Sequence, residues 1–361
     1  MRWPHAFCAP FLPPSFTFTA VMTTAALPRG PSRGRRFTES NISMPNSFNQ
    51  SVIDEFRSNA GKVGGPFEGG DLLLLTTTGA KSGKPYTTPL GYVRDGDLLL
   101  VVGSNLGGPR HPDWYHNLLA HPQVRVEVGT ETYEAIAVPA EGERRDRLFA
   151  QAVRVAPGYA DYQARTARTL PVVVLEPAEP EYEEADGEVL HEVTTLADKL
   201  IQVHTWLRAQ LRHVRAEAEA HLLARAAHQG PGEPPAPGLG LQIRQHCLAF
   251  CQSLEFHHTG EDAHVFPAVG RYHPELLPAL DRLQEEHRAI ARIQADLLTL
   301  LAGIGNADPG PGPDPEQFLA ELERMSEELL AHLAYEEEQV IPALAEVPWP
   351  PVAPGSAPAA S

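Results

Sequence analysis

The chain is poor in cysteine, in long apolar runs and in nucleotide-binding glycine patterns. Its three cysteines, Cys8, Cys247 and Cys251, make neither a disulfide framework nor a paired CxxC zinc site. Cys247 and Cys251 stand four apart, the spacing of one helix face, and read as core thiols of a protein in the reducing cytoplasm. No apolar run approaches about 18 residues, so no integral membrane segment is expected. There is no GxGxxG fingerprint and no HExxH pair, which argues against a classical dinucleotide fold and a metalloprotease helix. An excess of positive charge is missing too. The formal net charge is −17, from 29 Lys+Arg against 46 Asp+Glu, which disfavours nucleic acid as a partner.

At 361 residues the chain exceeds one ordinary domain. The charge divides it. Residues 1–178 carry 18 basic and 16 acidic side chains, whereas residues 179–361 carry 11 and 30. Histidine is skewed the same way, with 4 of 16 in the first part and 12 in the second. Acidic residues with histidine are metal-ligand types, although a solvated acidic surface gives the same totals. The first thirty residues loosely imitate a signal peptide, but Pro10, Pro13 and Pro14 interrupt the apolar stretch. Met44 could be the true start, and residues 1–45 are expected to be a disordered or mis-called extension.

Between residues 70 and 178 the texture is that of strands. Segments 72–78, 87–93, 98–104, 123–129, 132–138 and 172–177 are rich in apolar and Thr residues or alternate with polar ones. Residues 111–121 and 142–155 have helical spacing. Hairpins with intervening helices predict a small antiparallel barrel. From about Leu190 a period of 3.6 takes over. Helices are predicted over 193–226, 241–258, 274–303 and 316–344, parted by the Pro/Gly loops 230–239 and 306–315, as in a four-helix bundle. The expected domains are 46–178 and 192–346. An acidic linker (179–191) lies between them and a disordered tail (347–361) follows.

One internal repeat carries chemistry. His257 is followed by Glu261 and the pair Phe266-Pro267. His332 is followed by Glu336 and Ile341-Pro342. On a helix, residues four apart share a face at about 5–6 Å, so each pair can bind one metal ion or bridge two. His204 and His287 supply an inward histidine from each remaining helix. His213, His221, His228, His246, His264 and His273 lack paired carboxylates at ligand spacing and read as structural or exposed.

The bundle residues resemble the hemerythrin and HHE cation-binding family over about 192–345. The resemblance implies a non-haem di-iron centre held by His204, His257, Glu261, His287, His332 and Glu336. Oxygen-carrying hemerythrins have a second histidine four residues after the one at 287, where this chain has Ala291. Their last carboxylate is usually an aspartate five residues after the histidine, where this chain has Glu336 at four. His258 or Asp262 could supply the further ligand. The departures point away from reversible dioxygen carriage and toward a centre that senses, stores or turns over.

In the barrel half, residues 76–85 (TTTGAKSGKP) form a glycine- and lysine-rich turn after a strand. Backbone N–H groups in such a turn make an anion nest, and Lys81 and Lys84 add charge. A Walker loop would need glycine at Thr78. With the segments 103–129 and 156–177, this stretch resembles the deazaflavin-dependent nitroreductase family over about 48–178. The resemblance implies a split β-barrel (FMN-binding-like, α+β) that binds reduced coenzyme F-420. Such a barrel passes a hydride to a quinone, nitroaromatic or other unsaturated electrophile. It places Lys81, Ser82 and Lys84 near the cofactor's phosphate. Pro89, Ser104, Asn105 and Trp114 would lie along the deazaflavin cleft. Tyr159, Tyr162 or Ser104 would donate the proton. Many members have arginine where this chain has Tyr86. The whole reads as a multidomain chain, a split β-barrel followed by an all-α four-helix bundle, with dioxygen and a second copy (a homodimer) as further candidate partners. The other readings are a metal- and oxygen-binding protein whose barrel turns nothing over, and a barrel that binds FMN or haem.

Overall fold

The computed structural model describes residues 46–178, 193–227, 240–302 and 314–347. The expectations for 1–45, 179–191 and 230–239 lie outside these residues, as do those for 306–313 and 348–361. Among the described residues no helix is long and apolar enough to cross a membrane.

Six antiparallel strands form the first half: β1 (Leu72–Thr78), β2 (Pro85–Asp95), β3 (Leu98–Val102), β4 (Gln123–Val128), β5 (Glu131–Pro139) and β6 (Val172–Pro177). Their order is β1-β2-β3-β6-β5-β4, and β4 returns to β1 to close a barrel without free edges. Alternation decides which side chains face in. On β4, Val124, Val126 and Val128 are buried while Gln123, Arg125 and Glu127 are not. They meet Leu73, Leu75, Leu99, Val101 and Leu175 in the barrel interior.

Four helices clothe the barrel: α1 (Asn46–Ser58), α2 (Asp113–Ala120), α3 (Gly142–Val155) and α4 (Gly158–Ala164). Helix α1 lays Val52, Ile53 and Phe56 on Leu72 and Leu74. Helix α3 puts Leu148 and Ala152 against Val93, Leu100 and Val174. Neither α1 nor α4 figures among the helices expected from sequence. Their few apolar residues become a buried face only once the outer wall of the barrel exists.

The second half comprises α5 (Leu196–Ala227), α6 (Leu241–Gly260), α7 (Phe266–Tyr272), α8 (Leu277–Leu301), α9 (Pro315–Gln339) and α10 (Ile341–Leu344). One expected helix, 316–344, is interrupted, and the expected 241–258 runs on through Gly260 before it breaks. After α6 the chain makes a π turn, Glu261–Val265, before α7. Helix α9 ends at Gln339, since Pro342 has no N–H to offer the carbonyl four residues earlier. Leu207, Leu211, Phe250, Leu297, Phe318 and Leu329 belong to the bundle core.

Helix α6 joins the halves. Gln245 is fully buried and donates from Nε2 to the carbonyls of Leu118 (2.8 Å) and Ala137 (3.1 Å) in the barrel. Gln123 donates to Ser253 at 2.6 Å, and Gln252 to the Ala120 carbonyl at 2.9 Å. Ala249 is buried with Ile136, Val138 and Ala178. His246 is hydrogen-bonded to Glu176 of β6 and Glu217 of α5. Burial opposes its charge, but these two carboxylates outweigh that and push its pKa up to about 9.

Replacing Gln245 by leucine removes the donor from two buried carbonyls. We expect Gln245→Leu to cost about 2 kcal/mol in urea unfolding. A loss under about 0.5 kcal/mol, within the range of an ordinary surface substitution, would mean that this barrel–bundle contact does not form.

Candidate metal centre and candidate cofactor cleft

Four helices and the π turn converge on a buried set of nitrogen and oxygen donors. His204 comes from α5, His257 and His258 from the end of α6, Glu261 from the π turn, His287 from α8, and His332 with Glu336 from α9. All seven are at most 6 % exposed. They fall into two groups, His204/His257/Glu261/Glu336 and His258/His287/His332, with the donor atoms of each within 4.8 Å of one another. The carboxylates span both groups. Glu261 Oε1 is 3.2 Å from His257 Nε2, and its Oε2 is 3.4 Å from His287 Nε2. Glu336 Oε2 is 3.4 Å from His204 Nε2 and 3.7 Å from His332 Nε2.

Nε2 of His204, His257 and His258 and both oxygens of Glu261 and Glu336 are buried without a hydrogen-bond partner. Uncompensated polar atoms at this density are costly in a helical interior, and a cation among them would satisfy the whole set. The titration behaviour fits. Burial, reinforced by neighbouring imidazoles, pushes His257 and His258 well below the usual histidine range. Burial also lowers His332. The neutral imidazole is the ligating form. Burial and the nearby Glu336 push Glu261 well up. For Glu336 burial is outweighed by the adjacent His204 and the other nearby imidazoles, and it is held low. A divalent cation would let both carboxylates ionise. Five nitrogens and two carboxylates suit iron, manganese or zinc.

Three of the histidines are oriented from behind by carboxylates. His204 Nδ1 lies 2.9 Å from Glu337, His287 Nδ1 2.9 Å from Asp262, and His332 Nδ1 3.0 Å from Glu286. Such partners fix the tautomer that turns Nε2 to the metal. Asp262 therefore backs His287 from outside the inward set, and His258 is the residue that turns inward, stacked at 4.0 Å on His287. Ala291 is exposed on α8. Glu286 and Glu337 are additions to the site, and their signal was adjacency to His287 and Glu336. One expectation is corrected: His213 has Glu217 four residues on, and His246 is buried against it.

In the barrel, the turn after β1 is closed by Gly79 N–H to the Lys84 carbonyl and Gly83 N–H to the Gly79 carbonyl, both at 2.8 Å. A Cβ at Gly79 would meet Ser82 Oγ at 2.4 Å and Tyr86 Cε2 at 2.7 Å, so a larger residue there would have to displace these two exposed side chains. Lys81, Ser82 and Lys84 are exposed. Asn117 of α2 pins the turn, accepting from Ala80 N–H and donating to Thr77 Oγ1, each at 3.1 Å. Ser82 Oγ is 3.2 Å from the Tyr86 hydroxyl.

The segment after β3 is strained. Asn105 (φ 45°) and Leu106 (φ 53°) both hold left-handed backbone that side chains disfavour. Arg168 holds them there by donating to the carbonyls of Gly103 (3.0 Å), Ser104 (2.7 Å) and Gly108 (2.9 Å). Helix α4 covers this loop. A Cβ at Gly107 would collide at 2.9 Å with Arg165 and the Tyr162 carbonyl. Tyr159 and Tyr162 pack edge to face at 6.3 Å. Burial, with a smaller contribution from Tyr162, raises the Tyr159 phenol, which therefore keeps its proton. Its hydroxyl lies over Gly91 of β2, 3.6 Å from where a Cβ would stand. The fold thus gathers Ser104, Asn105, Tyr159 and Tyr162 about one loop. Pro89 sits half-buried on β2, opposite Leu74. Trp114 is a barrel-core side chain, 6 % exposed.

Residues 49–177 match the family described as F420H2-dependent quinone reductase, and residues 195–344 match the hemerythrin HHE cation binding domain. A relative from Mycobacterium tuberculosis, an F420H2-dependent quinone reductase, is 46% identical over 125 residues, covering 33% of this chain and 83% of the relative. A solved F420H2-dependent reductase is 41% identical and covers 29% of this chain and 94% of that one, with a TM-score of 0.28. A structure described as a domain-swapped dimer is 36% identical over 36% of this chain and 96% of that one, with a TM-score of 0.30.

The orienting carboxylates can be tested apart from the ligands. We expect Glu337→Ala and Glu286→Ala each to weaken iron(II) binding about 10–100-fold, read by competition with a chelator. Affinities equal to that of the parent chain would remove these residues from the site.

Proposed function

Because the chain belongs to the F420H2-dependent quinone reductase family through residues 49–177 and carries a hemerythrin-type module behind it, we propose the following function. The protein is a deazaflavin-dependent oxidoreductase that reduces a quinone, nitroaromatic or other unsaturated electrophile, and its bundle is a non-haem di-iron domain that senses or binds dioxygen or iron. The observation that carries the reductase reading is the strained 103–108 loop, clamped by Arg168 beneath the two tyrosines of α4. When bound, the reduced deazaflavin supplies the hydride. The protein's own residues do the rest. Lys81, Ser82 and Lys84 offer an exposed cationic turn to an anionic tail. Ser104, Asn105 and Pro89 border the place for the ring. Trp114 acts from the barrel core behind it. Tyr159, Tyr162 or Ser104 holds the proton that the reduced electrophile takes up.

Coupling between the halves is supported by α6. The helix that docks on the barrel through Gln245, Gln252 and Ser253 also ends in His257 and His258. In this reading His204, His257, Glu261, His287, His332 and Glu336 are the iron ligands, and His258 joins them; their convergence in the bundle supports it. A homodimer in the cytoplasm completes this reading.

Oxidation of reduced coenzyme F-420 on adding a quinone tests the reductase. We expect Lys81→Ala with Lys84→Ala to raise the KM for the coenzyme about tenfold, the effect of about 1.4 kcal/mol. Among Tyr159→Phe, Tyr162→Phe and Ser104→Ala, the variant that removes the donor should lose about 100-fold in kcat at unchanged KM. No turnover with any such electrophile would favour the binding-protein reading. For coupling, the rate of the iron-loaded full chain should differ from that of the iron-free chain, with and without dioxygen. Equal rates would sink it.

A further inference from the structure

The seam between barrel and bundle holds a second cluster of ligating side chains. It lies eleven residues before His257 on α6, about 16 Å along the helix axis. His213 and Glu217 are one turn apart on α5, His246 faces them from α6, and Glu176 reaches in from β6. His246 Nδ1 is 2.6 Å from Glu217 Oε2 and 3.3 Å from His213 Nε2. His213 Nε2 is 3.6 Å from Glu217 Oε1. Donors around a tetrahedral zinc ion, with bonds of about 2.1 Å, lie about 3.4 Å apart. The observed separations bracket that value.

The surroundings are those of a metal site with one position left open. Glu176 Oε2 accepts from His246 Nε2 at 3.0 Å, which leaves Nδ1 as the ligating nitrogen. Glu217 is held by Gln242, which donates to its Oε1 at 2.5 Å. Arg144 steadies the outer layer through Gln242 (2.5 Å) and Glu176 (3.4 Å). A cavity of about 300 Å³ opens beside His213, His246 and Glu176. Gln210 lines it at 7 % exposure, and its Oε1 has no hydrogen-bond partner. A buried acceptor without a donor marks a place for a bound water. His213 is half-exposed and provides a way in for the ion.

We propose that His213, Glu217 and His246 bind a divalent cation of the zinc type at this seam. A cation-bound water completes the tetrahedron within the cavity and donates to Gln210 Oε1. Glu176 is a positioning residue that acts through His246. The cation takes the place of the proton shared by His246 Nδ1 and Glu217, and that proton leaves to solvent. Three ligands come from the bundle and the orienting carboxylate from the barrel, so the bound ion favours the docked arrangement.

The test is zinc binding by the full chain after chelator treatment, counted by equilibrium dialysis with Zn2+ alone. Parent chain and His213→Asn should differ by one zinc per chain. His257→Ala, which disables the bundle centre, should keep that zinc. Glu176→Gln should keep the count but bind this zinc about 10–100-fold more weakly. His213 is half-exposed, so its variant is expected to fold, checked by circular dichroism. Equal zinc counts in parent and His213→Asn would overturn the proposal, as would loss of all bound zinc in His257→Ala.

Discussion

Helix α6 is buried on both sides, and both halves of the protein depend on how it is held. Cys247, Phe250, Cys251 and Leu254 face the bundle core, whereas Ala249 is buried among barrel residues. A helix with so little solvent face, only Glu255 and Thr259 being exposed, needs protein partners for the polar side chains it buries. Gln245, His246, Gln252 and Ser253 find theirs in the barrel. The same helix ends in His257 and His258, with Glu261 in the following turn. Three inward donors of the bundle centre are therefore positioned by a helix whose seat is fixed partly by strands and by the end of α2.

A second constraint is electrostatic. Glu261 and Glu336 are wholly buried within one cluster. Two carboxylates in such a place cannot both ionise without a compensating cation. Burial keeps His257, His258 and His332 neutral, the state in which an imidazole can ligate, whereas Glu336 and Glu337 outweigh burial at His204 and raise it, so a cation there would displace its proton. This changes the meaning of the bundle's acidity. Two glutamates face the centre, and Asp262, Glu286 and Glu337 orient histidines. Others, such as Glu285 and Glu321, pair with arginines on the helix surface.

The barrel presents a different economy. Its strands form a closed ring, and the loop that follows β3 is strained. Consecutive left-handed residues at Asn105 and Leu106 persist because a single guanidinium, Arg168, gathers three carbonyls around them. The cationic turn is secured separately, through Asn117.

Local periodicity made much of this legible. The strand β1, the alternation of β4, helix α3 and the His-x-x-x-Glu pairs 257/261 and 332/336 are facts of spacing, and spacing on a helix or strand decides which side chains share a face. Family resemblance added the cofactor class and the likeness to a metal-binding bundle. What spacing does not decide is which faces meet. His258 rather than Asp262 turns inward because the path of α6 into the π turn aims it there. Arg168 reaches Ser104 across 64 residues of sequence. Glu176, Glu217 and His246 come from a strand and two helices. Helix α1 was not read from the sequence: its apolar residues, Phe48, Val52, Ile53 and Phe56, cover a surface that exists only after the barrel closes. The sequence by itself determined the strands, the long helices with their buried faces, and the paired His-x-x-x-Glu spacing, because these follow from local geometry. Only the tertiary structure decided how the centre is completed, how the cleft loop is held and how the two halves are joined, because those contacts depend on long-range packing.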